Sequence, residues 1–184
     1  MTTIALPRLV LRELEDDDRA AVHRYAADPE VVRYLPWGPN TDADTQGFLR
    51  RAAAYRRDEP RRHFELAVTL RDGGALIGAC GLHVSAPELG EAFIGYALAR
   101  PYWGRGYATE AARGLLGFGF GELDLHRIFA VCDPDNVASA RVLEKAGMRR
   151  EGHLREHRWE KGRWRDSLLC AALAREWPGR PSAA

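Results

Sequence analysis

The chain has 184 residues, 46% of them hydrophobic, and a formal net charge of +1. That length and apolar content suit one folded domain burying roughly 70% of its unfolded surface. The balanced charge excludes the strong basic excess of a nucleic-acid footprint; no apolar run approaches the ~20 residues of a membrane span, and the N-terminus lacks the basic-then-apolar layout of a signal peptide.

Residues 8–13 (RLVLRE) alternate charged and apolar side chains like an edge strand. Asp16, Asp17 and Asp18 then open a helix to residue 27, acidic groups suiting its first turn, and Asp28-Pro29 stops it. Residues 31–39 hold two prolines and a glycine around Trp37 and read as a loop. A second helix is predicted over 41–57. Strands follow at 64–70 and 76–84, joined by an Asp72-Gly73-Gly74 turn. Residues 92–99 carry no charge, which suits a strand buried on both faces. Gly95 within it marks a close approach by a ligand or another backbone.

Pro101 ends that strand, and from Ala108 small and apolar residues recur at Ala111, Ala112, Leu115, Leu116 and Gly119, the stripe of an amphipathic helix. A strand at 127–132 is parallel to 92–99 if this helix is a crossover. Residues 137–146 form a further helix closed by Gly147, and strands at 152–159 and 163–173 flank Lys161-Gly162. The tail at 179–184 (GRPSAA) reads as disordered, leaving 1–178 as one domain. Cys80, Cys132 and Cys170 each fall inside an apolar strand-like run, which suggests buried, reduced thiols of a cytoplasmic protein. His153 and His157 lie on a strand with no further ligand cluster, so no metal site is expected.

The chemistry concentrates between strand 92–99 and the helix after it, in Trp103-Gly104-Arg105-Gly106-Tyr107-Ala108-Thr109. Two glycines allow positive φ and a close backbone approach, and the helix start points unpaired N–H groups at the same spot. That makes an anion site, most simply for phosphate, to which Arg105 adds a charge. The P-loop string GxxxxGK[ST] does not occur, and Gly104 and Gly106 match a dinucleotide fingerprint only in part, because Thr109 stands at its third glycine.

The string YWGRGYATEA, with HRIFAVCDPDNVASARVLEKAGM after it, resembles the GNAT superfamily of acyl-CoA N-acyltransferases. More narrowly it is similar to the RimJ/RimL-type branch, which includes ribosomal-protein N-terminal acetyltransferases, and the likeness runs over nearly the whole chain. The resemblance implies an α+β fold, with a mixed, twisted central sheet of about six to seven strands and helices on both faces. It implies acetyl-CoA as donor, no metal, and an amine acceptor attacked directly without a covalent enzyme intermediate. In such enzymes the central strand holds the pantetheine arm, which maps to Tyr96, Ala97 and Leu98, and the pyrophosphate lies over the turn Trp103 to Thr109. Many members open that turn with Gln or Arg where this chain has Trp103.

Asn136 and Ser139 open the 137–146 helix and read equally as caps on spacing alone. The resemblance makes Asn136 a pantetheine ligand and Ser139 a general acid near the sulfur; where other amine acetylators keep a Tyr acid, this chain has Leu143. The base carboxylate of some N-terminal acetyltransferases falls on Arg158 here, leaving Glu156, Glu160 and Glu91 as candidates. Glu156 and Glu160 are expected on one face of their strand. The acidic cluster Glu13, Glu15, Asp16, Asp17 and Asp18 is expected beside the acceptor side, where it would draw in a cationic amine. A peptide N-terminus is the first acceptor reading. A small amine or aminoglycoside, and a non-catalytic acyl-CoA sensor, are the alternatives; a homodimer is left open.

Overall fold

The computed structural model describes residues 1–178. The tail expected at 179–184 lies outside the described residues. Strands β1 (Thr3–Ala5), β2 (Leu9–Glu13), β3 (His63–Leu70), β4 (Leu76–Ala86), β5 (Glu91–Leu98), β6 (Arg127–Cys132), β7 (Arg149–Glu160) and β8 (Arg163–Leu173) join in one eight-stranded sheet, ordered β1-β2-β3-β4-β5-β6-β8-β7. Helices α1 (Arg19–Ala26) and α2 (Asp42–Tyr55) follow β2, α3 (Tyr107–Gly121) links β5 to β6, and α4 (Val137–Ala146) links β6 to β7. Every strand pair is antiparallel except β5 with β6, as a helical crossover requires. The fold is α+β, as the resemblance implied.

The strand missing from the expected set is β1, whose three residues pair with β2 from Thr3↔Arg12 to Ala5↔Val10. Three residues are too few to show a period, and because β1 is there, β2 lies between two neighbours and is no edge strand. Apolar side chains split by alternation onto the two faces. One face packs Leu9, Leu11, Leu66, Leu82 and Ile94 under α3 and α4, with Leu115, Leu116 and Leu143 opposite. The other packs Ala67 and Ala79 under α1 and α2, against Val22, Tyr25 and Leu49.

The uncharged run of β5 is not buried on both faces. Ala92, Ile94 and Leu98 are buried, whereas Phe93 and Gly95 are exposed. The reason is tertiary: α1 and α2 pack against β4 and β3, and they leave the same face of β5 as the floor of a cavity. Cys80, Cys132 and Cys170 are all free and buried. Burial raises each thiol, Cys132 to about 11. No helix among the described residues is long and apolar enough to cross a membrane.

Candidate active site

β5 and β6 pair only at Glu91–Phe93 with Arg127–Phe129. Past Phe93, β5 stays with β4 as far as Leu98, while β6 turns to β8 and pairs down to Cys132↔Leu168. The strands therefore splay, and a notch opens beside Gly95 to Leu98. The Ala99 N–H bonds the Ile77 carbonyl on the β4 side at 2.9 Å. Alternation then turns the Tyr96 and Leu98 peptide groups the other way, into the notch. Ala97, also expected there, bonds toward β4 and gives the cavity its methyl instead. The Trp103 indole donates to the Leu98 carbonyl at 2.6 Å and so packs the departure from the usual turn against the strand end.

The turn after β5 has the backbone its glycines promised. Gly104 and Gly106 have φ of 72° and 79°, and Gly106 is the N-cap of α3. A Cβ at Gly104 would meet nothing within 4 Å, so the space above it is open. Trp103, Gly104, Arg105 and Gly106 are exposed, and Tyr107, Ala108 and Thr109 begin the helix with their N–H groups facing the turn. Arg8, which sequence reasoning passed over, clasps this end. Its guanidinium pairs with Glu110 at 2.7 Å, donates to the Arg105 carbonyl at 2.9 Å and covers the Tyr107 ring. An open, positively framed cradle beside a strand notch fits a pyrophosphate carrying an extended arm.

On the α4 side of the notch, the Asn136 carbonyl oxygen accepts from the Ser139 N–H at 3.1 Å and caps the helix. The remaining amide donors of Asn136 are not spent on that cap. The Ser139 hydroxyl lies 2.9 Å from the Tyr96 hydroxyl. Burial pushes the Tyr96 phenol well above its ordinary range, so it stays protonated and able to donate. Tyr96 was expected for its backbone alone. Its side chain points to the opposite face from Gly95 and Ala97, a position that β-alternation around Gly95 would have revealed.

A cavity of about 990 Å³ lies on the other side of the notch, between β5 and the α1–α2 pair. Its floor includes Gly81, Phe93, Gly95 and Ala97, its walls Tyr25, Phe48 and Tyr55, and its charged rim Asp44, Arg51, Glu65, His83 and Arg158. Glu91, Glu156 and Glu160 do not line it. Glu91 pairs with Arg127 at 3.1 Å, and Arg127 in turn with Glu151. Glu156 sits at φ 47° in a slip of register between Leu154 and Arg158, so the alternation that would align it with Glu160 is interrupted. Glu156 is exposed, whereas Glu160 is half-buried against Arg158 at 3.4 Å.

The acidic cluster also lies elsewhere. Glu13 is 3% exposed and pairs with Arg61, and Asp18 pairs with Arg12, each at 2.7 Å. Burial, the largest single influence, would raise both carboxyls, but the hydrogen bonds and charges of Arg61 and Arg12, together with backbone N–H donors of Thr2 and Glu15, jointly outweigh it and hold both below the ordinary range. None of Glu13, Glu15, Asp16, Asp17 and Asp18 faces the cavity. His153 pairs with Asp166, and His157 with the Ser167 hydroxyl.

A family model described as an acetyltransferase (GNAT) domain matches residues 8–149. The Bacillus subtilis protein named uncharacterized N-acetyltransferase YnaD is 37% identical over 176 residues, covering 95% of this chain and 98% of its own. The ribosomal protein uS5-alanine N-acetyltransferase of Escherichia coli is 27% identical over 182 residues, 94% of this chain and 92% of its own. Among solved structures, Mycobacterium smegmatis RimJ in complex with CoA-disulfide is similar, with a TM-score of 0.82 at 28% identity, covering 96% of this chain and 88% of that one.

Proposed function

The chain belongs to the GNAT acetyltransferase family and is an acetyl-CoA-dependent N-acetyltransferase, and from that premise we propose that its acceptor is the α-amine of a peptide N-terminus. One observation carries the reading. The β5–β6 notch has two open sides, a hydroxyl pair on the α4 side and a deep cavity on the other, so a thioester in the notch is met from both.

Acetyl-CoA supplies an activated acetyl group with a good leaving thiol. The chain's residues do the rest. The phosphates lie over Gly104 and Gly106, and the arm runs along the Tyr96 and Leu98 amides, with the unspent Asn136 donors beside it. An amide aimed at the developing oxyanion contributes on the order of 3 kcal/mol. Ser139, hydrogen-bonded to the protonated Tyr96 hydroxyl, delivers a proton to the departing sulfur.

The rim supports a peptide over a polycation. Arg51 and Arg158 balance Asp44 and Glu65, whereas polyamines and aminoglycosides call for an acidic cleft. A carboxylate in the cavity also favours an enzyme over a sensor. An α-amine titrates near 7.7–8.0 and a lysine near 10.4, so roughly a tenth of the former is already neutral at pH 7. The name of the uS5-alanine relative points the same way. The test compares kcat/KM at pH 7 for a peptide with a free N-terminus, its Nα-blocked, lysine-bearing twin, spermidine and an aminoglycoside. The free N-terminus is expected to be fastest; a faster blocked peptide, polyamine or aminoglycoside overturns the reading.

A further inference from the structure

Across the middle of the sheet runs a row of three residues paired side by side, Glu65 on β3, Gly81 on β4 and Gly95 on β5. The next row on the same face is His63, His83, Phe93 and Phe129. This second row is filled. Tyr55 stacks on His63 at 4.4 Å between ring centres, His83 stacks on Phe93 at 4.7 Å, and Phe129 follows. The first row has no side chain of its own at either glycine. Over Gly81 the Glu65 Oε2 and the His83 Nε2 each stand 2.9 Å from where a Cβ would be. Over Gly95 there is nothing within 4 Å.

Neighbouring strands are about 4.8 Å apart. The open seat over Gly95 is therefore about one amine's reach from the Glu65 carboxylate, and it adjoins Tyr96, whose amide faces the notch. We infer that this glycine-floored slot seats the acceptor amine and that Glu65 is the catalytic base, with His83 the residue that positions it. The inference rests on the N-acetyltransferase reading and names the group that reading lacks.

His83 Nε2 is 3.2 Å from Glu65 Oε1 and its Nδ1 is 2.9 Å from His63 Nδ1. In the arrangement that satisfies every atom, His63 donates to His83 and His83 donates to Oε1, leaving Oε2 to face the slot. Burial first, and the neighbouring His83 second, lower the His63 ring, which keeps it neutral in that chain. Both partners of the pair are shielded, the side chains of His83 and Glu65 being 16% and 19% exposed. The charged and titratable groups facing the slot are Tyr25 from α1, Asp44, Arg51 and Tyr55 from α2, and His157 and Arg158 from β7. Glu65 is the carboxylate among them that lies on the sheet floor beside the seat.

The proton count closes. An ammonium acceptor loses two protons in all. One passes from nitrogen to Glu65 Oε2, giving the neutral amine, and leaves to water after turnover. The C–N bond then forms and the C–S bond breaks. The second nitrogen proton departs to water as the amide forms, and the Ser139–Tyr96 pair, having given one proton to sulfur, takes one back from water.

The test uses the full chain and whichever amine of the panel above turns over fastest, so a lysine or polyamine preference overturns the acceptor reading and leaves this measurement intact. Glu65→Gln keeps an oxygen for His83 but cannot take a proton. It is expected to lower kcat/KM about 100-fold at pH 7, with activity climbing about tenfold per pH unit toward the amine's own titration and with CoA affinity unchanged. His83→Gln is expected to lower kcat by about tenfold, at the low end of such effects, at unchanged acceptor KM, and to shift the acid limb of the profile. Gly95→Ala meets no neighbouring atom and so leaves the fold intact. It fills the seat, and the acceptor KM rises while CoA affinity holds. Wild-type rates and pH profile in Glu65→Gln, or an unchanged acceptor KM in Gly95→Ala, overturn the inference.

Discussion

On one side of the notch the proposed donor site is built of backbone. The left-handed glycines at 104 and 106, the Tyr96 and Leu98 peptide groups and the first turns of α3 and α4 come from a span of about forty residues in sequence. On the other side the proposed acceptor cavity is lined by side chains drawn from α1, α2, β3, β4, β5, β6 and β7, from Tyr25 to Arg158. The two sides also differ in electrostatics. The donor turn is framed by helix N-termini and by Arg8 and Arg105, whereas the cavity rim mixes Asp44 and Glu65 with Arg51 and Arg158. Backbone recognition tolerates substitution wherever φ is kept, while side-chain recognition changes with single residues. A common donor and varied acceptors are what such a division allows.

The sharpest way to break the comparison is Gly106→Val. A β-branched residue at φ 79° is strained, by about 1–3 kcal/mol for a residue held in this region, and its Cβ comes within 3.3 Å of Arg8. CoA-induced thermal stabilisation is expected to vanish while the chain stays folded. Unchanged affinity by calorimetry would show that the turn is not a phosphate cradle.

Arg61→Ala tests the claim that the acidic cluster is structural. It leaves Glu13 buried without its partner, and a loss of about 3 kcal/mol of stability is expected, with acceptor KM unmoved. A raised KM for a cationic acceptor at full stability would return the cluster to the acceptor side. The same pair sets an acid limb. The Glu13 and Asp18 carboxyls titrate lower in the folded chain than in the unfolded one, so the unfolded chain binds their protons first. Their contribution is intact above roughly pH 4 and is lost as pH falls through the folded values. Acid denaturation followed by circular dichroism should begin at higher pH in Arg61→Ala, which starts less stable because its pair is gone, than in the wild type.

Ser139→Ala and Tyr96→Phe ask whether the donor side uses side chains at all. Each is expected to lower kcat about 10–100-fold, the lower part of the general-acid range, with little change in acetyl-CoA affinity. Full activity in Ser139→Ala would reduce that serine to a helix residue. Asn136→Ala is the smallest effect. Loss of the cap on α4 costs about 1 kcal/mol, read as a lower melting temperature, and acetyl-CoA binding weakens more than kcat falls. A variant that melts early but binds the donor normally would leave Asn136 a cap alone.

The glycine turn, the α3 stripe, the Asn136 cap and the Gly147 stop were legible because each is a local rule, a positive φ or a 3.6-residue period acting within one or two turns of chain. Alternation, uncharged runs and flanking turn residues placed seven of the eight strands, and β1 escaped because three residues carry no period. The α-helical crossover likewise dictated the parallel β5–β6 pair. What the sequence could not state was which residues meet across the sheet. Glu65, Gly81 and Gly95 are up to thirty positions apart and look unrelated until hydrogen-bond register lines them up. Arg12 and Arg61 claimed the acidic cluster that charge counting had assigned to a substrate, and a slip in β7 separated Glu156 from Glu160. Local backbone preferences are written residue by residue, so the donor side could be read along the chain. Contacts between distant side chains depend on register, twist and which helix covers which strand, and only the folded sheet decides those.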